Sequence, residues 1–144
     1  MKHPLILILF VCFFGINHSA ICQDTAPSYE TRYVELYNEG AAFYLAGDYN
    51  SAINSFTSGL EIIEKNLGKE NINYAYTLNY LALAYSGLGD YDMALEINLE
   101  CLDLFEKVVG QEHLDYATSI NNLALTYSSL GDYNKALEMH LECL

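Results

Sequence analysis

From residue 29 onward, apolar side chains recur at steps of three and four, the spacing of one face of a helix. Leu78, Leu81, Ala82, Tyr85 and Leu88 mark such a face and predict a helix over 74–88. Asn73 is placed to cap its start, and Asp115 does the same one unit later. Gly89 ends the helix, because glycine enters the left-handed conformation at least cost. Asp90 can then cap a second helix over about 91–109, with Ala94, Leu95, Leu99 and Leu102 at helical spacing and Gly110 as its stop. Gly68 plays that stopping role earlier in the chain. No stretch shows the two-residue alternation of a half-buried strand, so the pattern predicts helices alone.

The pattern repeats. Gly47-Asp48-Tyr49, Gly89-Asp90-Tyr91 and Gly131-Asp132-Tyr133 are spaced by 42 residues. Aligned without gaps, 78–102 and 120–144 agree at 17 of 25 positions, too many for chance. The earlier copy, 36–60, agrees with 78–102 at only seven, keeping Leu36, Ala42, Gly47, Asp48, Tyr49, Ala52 and Leu60. Each unit is therefore a pair of antiparallel helices. Ala82 and Ala94, with Ala124 and Ala136, stand where the two helices of a pair come closest and a larger side chain would push them apart. Tyr85 and Tyr91 would fill the space on either side of the turn. A lone helix pair cannot bury both its faces, so successive pairs must stack into a solenoid.

Leu81-Ala82, Tyr85, Gly89, Tyr91 and Ala94, repeated as Leu123-Ala124, Tyr127, Gly131, Tyr133 and Ala136, resemble the tetratricopeptide signature. The 42-residue period exceeds the usual 34 residues or so and resembles the long-repeat variant of kinesin light chains and many bacterial arrays. Gly110-Gln111-Glu112-His113, Ala117-Thr118-Ser119 and Asn121-Asn122-Leu123-Ala124 are similar to that variant's inter-repeat consensus. Two features depart from it: Lys69 and Gln111 stand near where a turn proline is common, and Glu39 stands where later units have Leu81 and Leu123. The resemblance spans 29–144 and implies an all-α, right-handed solenoid: unit 1 over 29–70, unit 2 over 71–112 and unit 3 over 113–144, cut short in its second helix. On this reading the isolated chain is marginally stable, and Leu137, Leu141 and Leu144 form an uncapped end suited to a following segment, a partner or self-association.

The N-terminus predicts an address. A basic start at Lys2, an apolar run over 5–14, Gly15 and the small residues Ser19 and Ala20 have the layout of a secretory signal peptide over 1–22. The run falls short of the roughly 20 residues of a membrane-spanning helix. Cleavage after Cys22 leaves Gln23, with 23–28 as a linker, and implies a secreted, periplasmic or envelope location. Acylation of Cys22 and an uncleaved anchor are the alternatives.

Net charge narrows the partners. The chain carries −13; losing 1–22 removes only Lys2, so five basic residues then face 19 acidic ones at −14. Such a surface repels phosphate backbones and anionic lipid, which argues against nucleic acid and membrane-surface binding.

No residue constellation predicts catalysis or a cofactor. His140 and Cys143 stand three apart on one helix, but a metal site needs three or four ligands, and one unit earlier the pair is Asn98 and Cys101. Cys101 and Cys143 occupy equivalent positions in stacked units, about 10 Å apart, beyond the roughly 7 Å limit for a disulfide. Both are expected to be free thiols in a small core position. His113 has no nucleophile and orienter around it, and the resemblance places it in the inter-repeat turn. Glu96, Glu100, Glu138 and Glu142 are a solvated helix face. No glycine-rich phosphate loop is present.

What remains is binding. In tetratricopeptide arrays the first helix of each unit lines a concave groove. That resemblance assigns Tyr76, Asn79, Tyr80, Leu83 and Ser86 to the groove in unit 2, and Thr118, Asn121, Asn122, Leu125 and Ser128 in unit 3. Asn79, Tyr80, Asn121 and Asn122 are the candidate peptide-binding residues, since an amide can both donate to and accept from an extended backbone. The same asparagines could instead bridge neighbouring helices. Arg32 is the only basic residue on a first helix, so a clamp for acidic C-termini is absent and a neutral or basic protein or peptide is the expected partner. Two other roles stay open: the sensory N-terminal part of a bacterial multidomain protein with a kinase or caspase-like module, and a structural spacer.

Overall fold

A computed structural model of the chain describes residues 27–142. The expected signal peptide and the position of Cys143 therefore lie outside the described residues. Those described form six helices and no strand: α1 (Tyr29–Leu45), α2 (Tyr49–Leu67), α3 (Ile72–Leu88), α4 (Tyr91–Val109), α5 (Leu114–Ser129) and α6 (Tyr133–Glu142). Each helix packs on the next in the chain. The first helices α1, α3 and α5 also touch across units, whereas among the described residues α2, α4 and α6 do not touch one another. An arc follows from that asymmetry, with the first helices on its inner wall. The protein is an all-α solenoid.

The same local signals set each turn. Asp48, Asp90 and Asp132 accept hydrogen bonds from the backbone N–H groups of Ser51, Met93 and Lys135, so every second helix starts on an aspartate cap. Gly89 sits at φ 88°, ψ 7°, the left-handed conformation that closes α3. The later first helices begin two residues earlier than predicted. Asn71, not Asn73, caps α3 by accepting from the Asn73 N–H, and His113, not Asp115, caps α5 by accepting from the Asp115 N–H. Asn71 and His113 have extended backbones, which turn their side chains back onto the first helical N–H groups.

Ala82, Ala94, Ala124 and Ala136 are all buried, as close helix approach requires. In unit 1 Gly40 and the buried Ala52 stand at the registers of Ala82 and Ala94, and Gly40 also faces the ring of Phe56. A Cβ on Gly40 would lie 2.7–2.9 Å from three atoms of the Phe56 ring, so the wide ring fits only against a bare backbone. Glu39, the departure from the leucine pattern, has its own complement. Its carboxylate accepts from the Ser55 hydroxyl at 3.5 Å, and the same two registers in unit 2 hold the buried Leu81 and Ile97. The buried face of α4 also differs from the predicted one. Ile97, Asn98, Cys101, Leu104 and Phe105 join Ala94 in the core, whereas Leu99 is exposed. The three-four spacing admits two adjacent stripes on this leucine-rich helix, and contact with both α3 and α5 selects between them.

Polar ties join the units. The Tyr33 hydroxyl on α1 lies 3.2 Å from Thr77 Oγ1 on α3, and Tyr76 on α3 donates to Asp115 Oδ2 on α5 at 2.6 Å. Cys101 is a fully buried free thiol whose Sγ donates to the Ala75 carbonyl at 3.4 Å.

Candidate functional site

The first helices of units 2 and 3 differ in chemistry from the rest of the molecule. Helix α3 carries no charged residue and α5 carries only Asp115. Carboxylates are concentrated elsewhere, with Glu30, Glu35 and Glu39 on α1, Glu61 and Glu64 on α2 and Asp92, Glu96, Glu100, Asp103 and Glu106 on α4. Apart from Asp115 at the start of α5, which Tyr76 engages, the cleft between α3 and α5 is thus uncharged within a strongly acidic protein.

The four predicted site residues separate into three environments. Asn122 Nδ2 donates to Asn79 Oδ1 at 2.7 Å, so these two join and bridge α3 to α5. The amide nitrogen of Asn122 keeps its second hydrogen for other use. Asn121 is exposed. Tyr80 is half-buried in an aromatic cluster, with ring centroids 5.5 Å from Tyr37, 5.7 Å from Phe56 and 6.5 Å from Tyr44. It packs unit 1 on unit 2. Tyr76 is similarly engaged, edge-on to Phe105 at 5.6 Å besides its bond to Asp115.

Between the helices lies a pocket of about 120 Å³, walled by Leu83 and Ser86 on α3 and by Asn122, Leu125, Thr126 and Ser129 on α5. Asn98 reaches its floor from α4. Sequence reasoning missed this residue as a functional group, weighing it only as the counterpart of His140. The signal was there: Phe56, Asn98 and His140 share one register, and an amide replaces an aromatic ring at a core position.

The sequence between Tyr33 and the chain's end matches the tetratricopeptide repeat profile over residues 33–107 and again over 87–144. The chain belongs to the tetratricopeptide repeat family. Solved tetratricopeptide structures share its fold. BtubC from P. vanneervenii superposes with a TM-score of 0.75 at 23% identity, over 80% of this chain and 45% of its own. A putative kinesin light chain of Podosopora anserina with nearly identical repeats gives 0.73 at 22%, over 83% and 57%. The tetratricopeptide domain of Arabidopsis FLU gives 0.71 at 16%, over 80% and 93%. This chain thus spans about half the length of the first two. No curated protein matches it.

Elsewhere in this tetratricopeptide chain the reactive groups are engaged in structure. Burial pushes the Cys101 thiol up to about 12, so it is no nucleophile in the folded state. His113 Nδ1 stands 3.2 Å from the Asp115 backbone nitrogen and 3.3 Å from its carboxylate. The cap uses the Nδ1 lone pair and an ion pair needs a proton there, so one excludes the other. Among the described residues, no three His, Cys, Asp or Glu side chains cluster as metal ligands would.

Proposed function

We propose that the chain is a protein-interaction scaffold of the long-repeat kind seen in kinesin light chains, and that it binds an extended, uncharged or basic peptide along α3 and α5. The uncharged cleft carries this reading: in a protein of charge −13 the inner wall has no carboxylates between Ile72 and Leu88. Such a wall accepts neutral polar side chains without stranding a charge, while the surrounding acids attract basic flanks over about a Debye length of 8–10 Å. The general role of tetratricopeptide repeats as interaction scaffolds is consistent with it.

Selection of random dodecapeptides displayed on phage against the chain tests the reading. Neutral and basic peptides are expected, their binding weakened at least tenfold by Leu125→Glu, which places a charge on a half-exposed groove position. Recovery of acidic C-terminal peptides at physiological salt, or binding indifferent to Leu125→Glu, would overturn it. In the spacer reading no peptide is selected at all.

A second surface supports self-association. Leu137 and Leu141 on α6 are 60% and 61% exposed, forming with Tyr133 an apolar strip that nothing in the described chain covers. Sedimentation velocity is expected to show dimers that Leu137→Lys with Leu141→Lys converts to monomers. A monomer at all concentrations refutes the idea.

A further inference from the structure

Asn98 holds an unusual position for an amide. It is 2% exposed, and it occupies the register that Phe56 fills one unit earlier, so a small polar group stands where a ring otherwise packs. Its orientation follows from its neighbours. Thr126 Oγ1 donates its only hydrogen to the Asn122 carbonyl at 3.0 Å, so it can only accept from the Asn98 amide, and Asn98 Nδ2 lies 2.9 Å away. The carbonyl end of Asn98 is then turned elsewhere, and Oδ1 is buried without a hydrogen-bond partner. A buried acceptor left in that state costs about 1–3 kcal/mol. Asn98 is also one of the residues that line the pocket between α3 and α5.

We propose that this pocket is a recognition subsite for the carboxamide side chain of a glutamine or asparagine in a bound peptide. The proposal rests on the groove reading above and names what the groove selects. The incoming amide N–H donates to Asn98 Oδ1. Its carbonyl meets donors at the rim, the Ser86 hydroxyl and the second hydrogen of Asn122 Nδ2. Its methylene stem lies between Leu83 and Leu125, the latter 53% exposed at the mouth.

Three features select this occupant. The pocket of about 120 Å³ has room for about four waters at liquid density, hence for a short side chain rather than a ring pair. None of its lining residues is charged, so an ammonium or guanidinium would enter without a counter-ion, a costly burial. A purely apolar side chain would fill the volume and leave Oδ1 unpaired, whereas a group that hydrogen-bonds there is favoured over its isostere by the recovered bond.

The test uses the chain with propionamide, propylammonium and propionate as probes, followed by NMR on the methyl groups of Leu83 and Leu125 and the Asn98 side-chain amide. Propionamide is expected to give saturable shifts at these groups, with the charged probes at least fivefold weaker. Asn98→Leu, an apolar residue in the register of Phe56, is expected to keep the helical circular dichroism and abolish the propionamide response. Asn98→Ala serves the same end should the leucine variant fail to fold. An equal response to all three probes, no response, or a response surviving both substitutions overturns the proposal, and water alone is then the partner of Oδ1. Its failure is separable from that of the groove reading. Selected peptides that bind equally well to Asn98→Leu sink the subsite and leave the groove, whereas propionamide binding with no peptide selected sinks the groove and leaves the subsite.

Discussion

Phe56→Ala is expected to lower the unfolding free energy by about 3–5 kcal/mol, the range for emptying an aromatic core position. Phe56 is fully buried, and its ring lies edge-on to Tyr37 at 6.0 Å and tilted against Tyr80 at 5.7 Å. It also fills the space left by the missing Cβ of Gly40. One side chain on α2 therefore meets α1 and α3 together, and its loss opens the joint between two units. A small domain has about 5–15 kcal/mol in total, so the variant should be largely unfolded in mild urea. Urea titration followed by far-UV circular dichroism reads the change, and a loss under about 1 kcal/mol contradicts the wedge role.

Gly40→Ala probes the same fit from the other side. Alanine favours a helix by about 1 kcal/mol over glycine, but here its Cβ meets a ring with no free direction to move, and overpacking costs about 1–3 kcal/mol. The single variant should be destabilised, and adding Phe56→Leu should recover part of that loss. The same complementarity is visible within the molecule: unit 2 carries alanine at Ala82 and the smaller Asn98 opposite. Penalties that simply add in the double variant would show that the two positions are not complementary.

Alkali is expected to unfold the chain. Burial raises the Cys101 thiol from 9.0 to about 12, and burial, with the nearby phenols of Tyr80 and Tyr33, raises Tyr37 well above its ordinary 10.0. Tyr33 and Tyr74 are raised by burial as well. These groups are neutral when protonated, and the unfolded chain releases their protons first. Between the unfolded and folded values the unfolded state binds fewer protons, so stability falls as pH rises. The stability is intact below pH 9 and is lost progressively above it. Cys101 alone accounts for up to about 4 kcal/mol. Urea midpoints measured from neutral pH to pH 12 should decline steeply above pH 9, and Cys101→Ala should soften the first part of that decline. A flat profile to pH 11 would contradict the assignment.

How far the chain can be read without its fold varies by element. Asp48, Asp90 and Gly89 act on backbone groups within a few residues, so the turns and second-helix starts are legible directly. The caps of α3 and α5 stand two residues earlier than the spacing predicts, because Asn71 and Asn73, like His113 and Asp115, are both chemically able to cap. Only the extended backbone at the earlier residue decides. Tyr80 reads as a groove residue from its register, yet Tyr37 and Phe56, contributed by other helices, draw it into packing.

The order and repetition of the helices, and with them the solenoid, follow from sequence alone, because periodicity and capping act over one or two turns and a 42-residue period carries them from unit to unit. Tertiary structure decided which stripe of α4 is buried, that Asn79 and Asn122 pair, and that Asn98 is left with an unpaired oxygen beside a pocket. Each of those depends on side chains from several helices meeting in one place, and local spacing holds no information about which neighbour will arrive, or how much room it leaves.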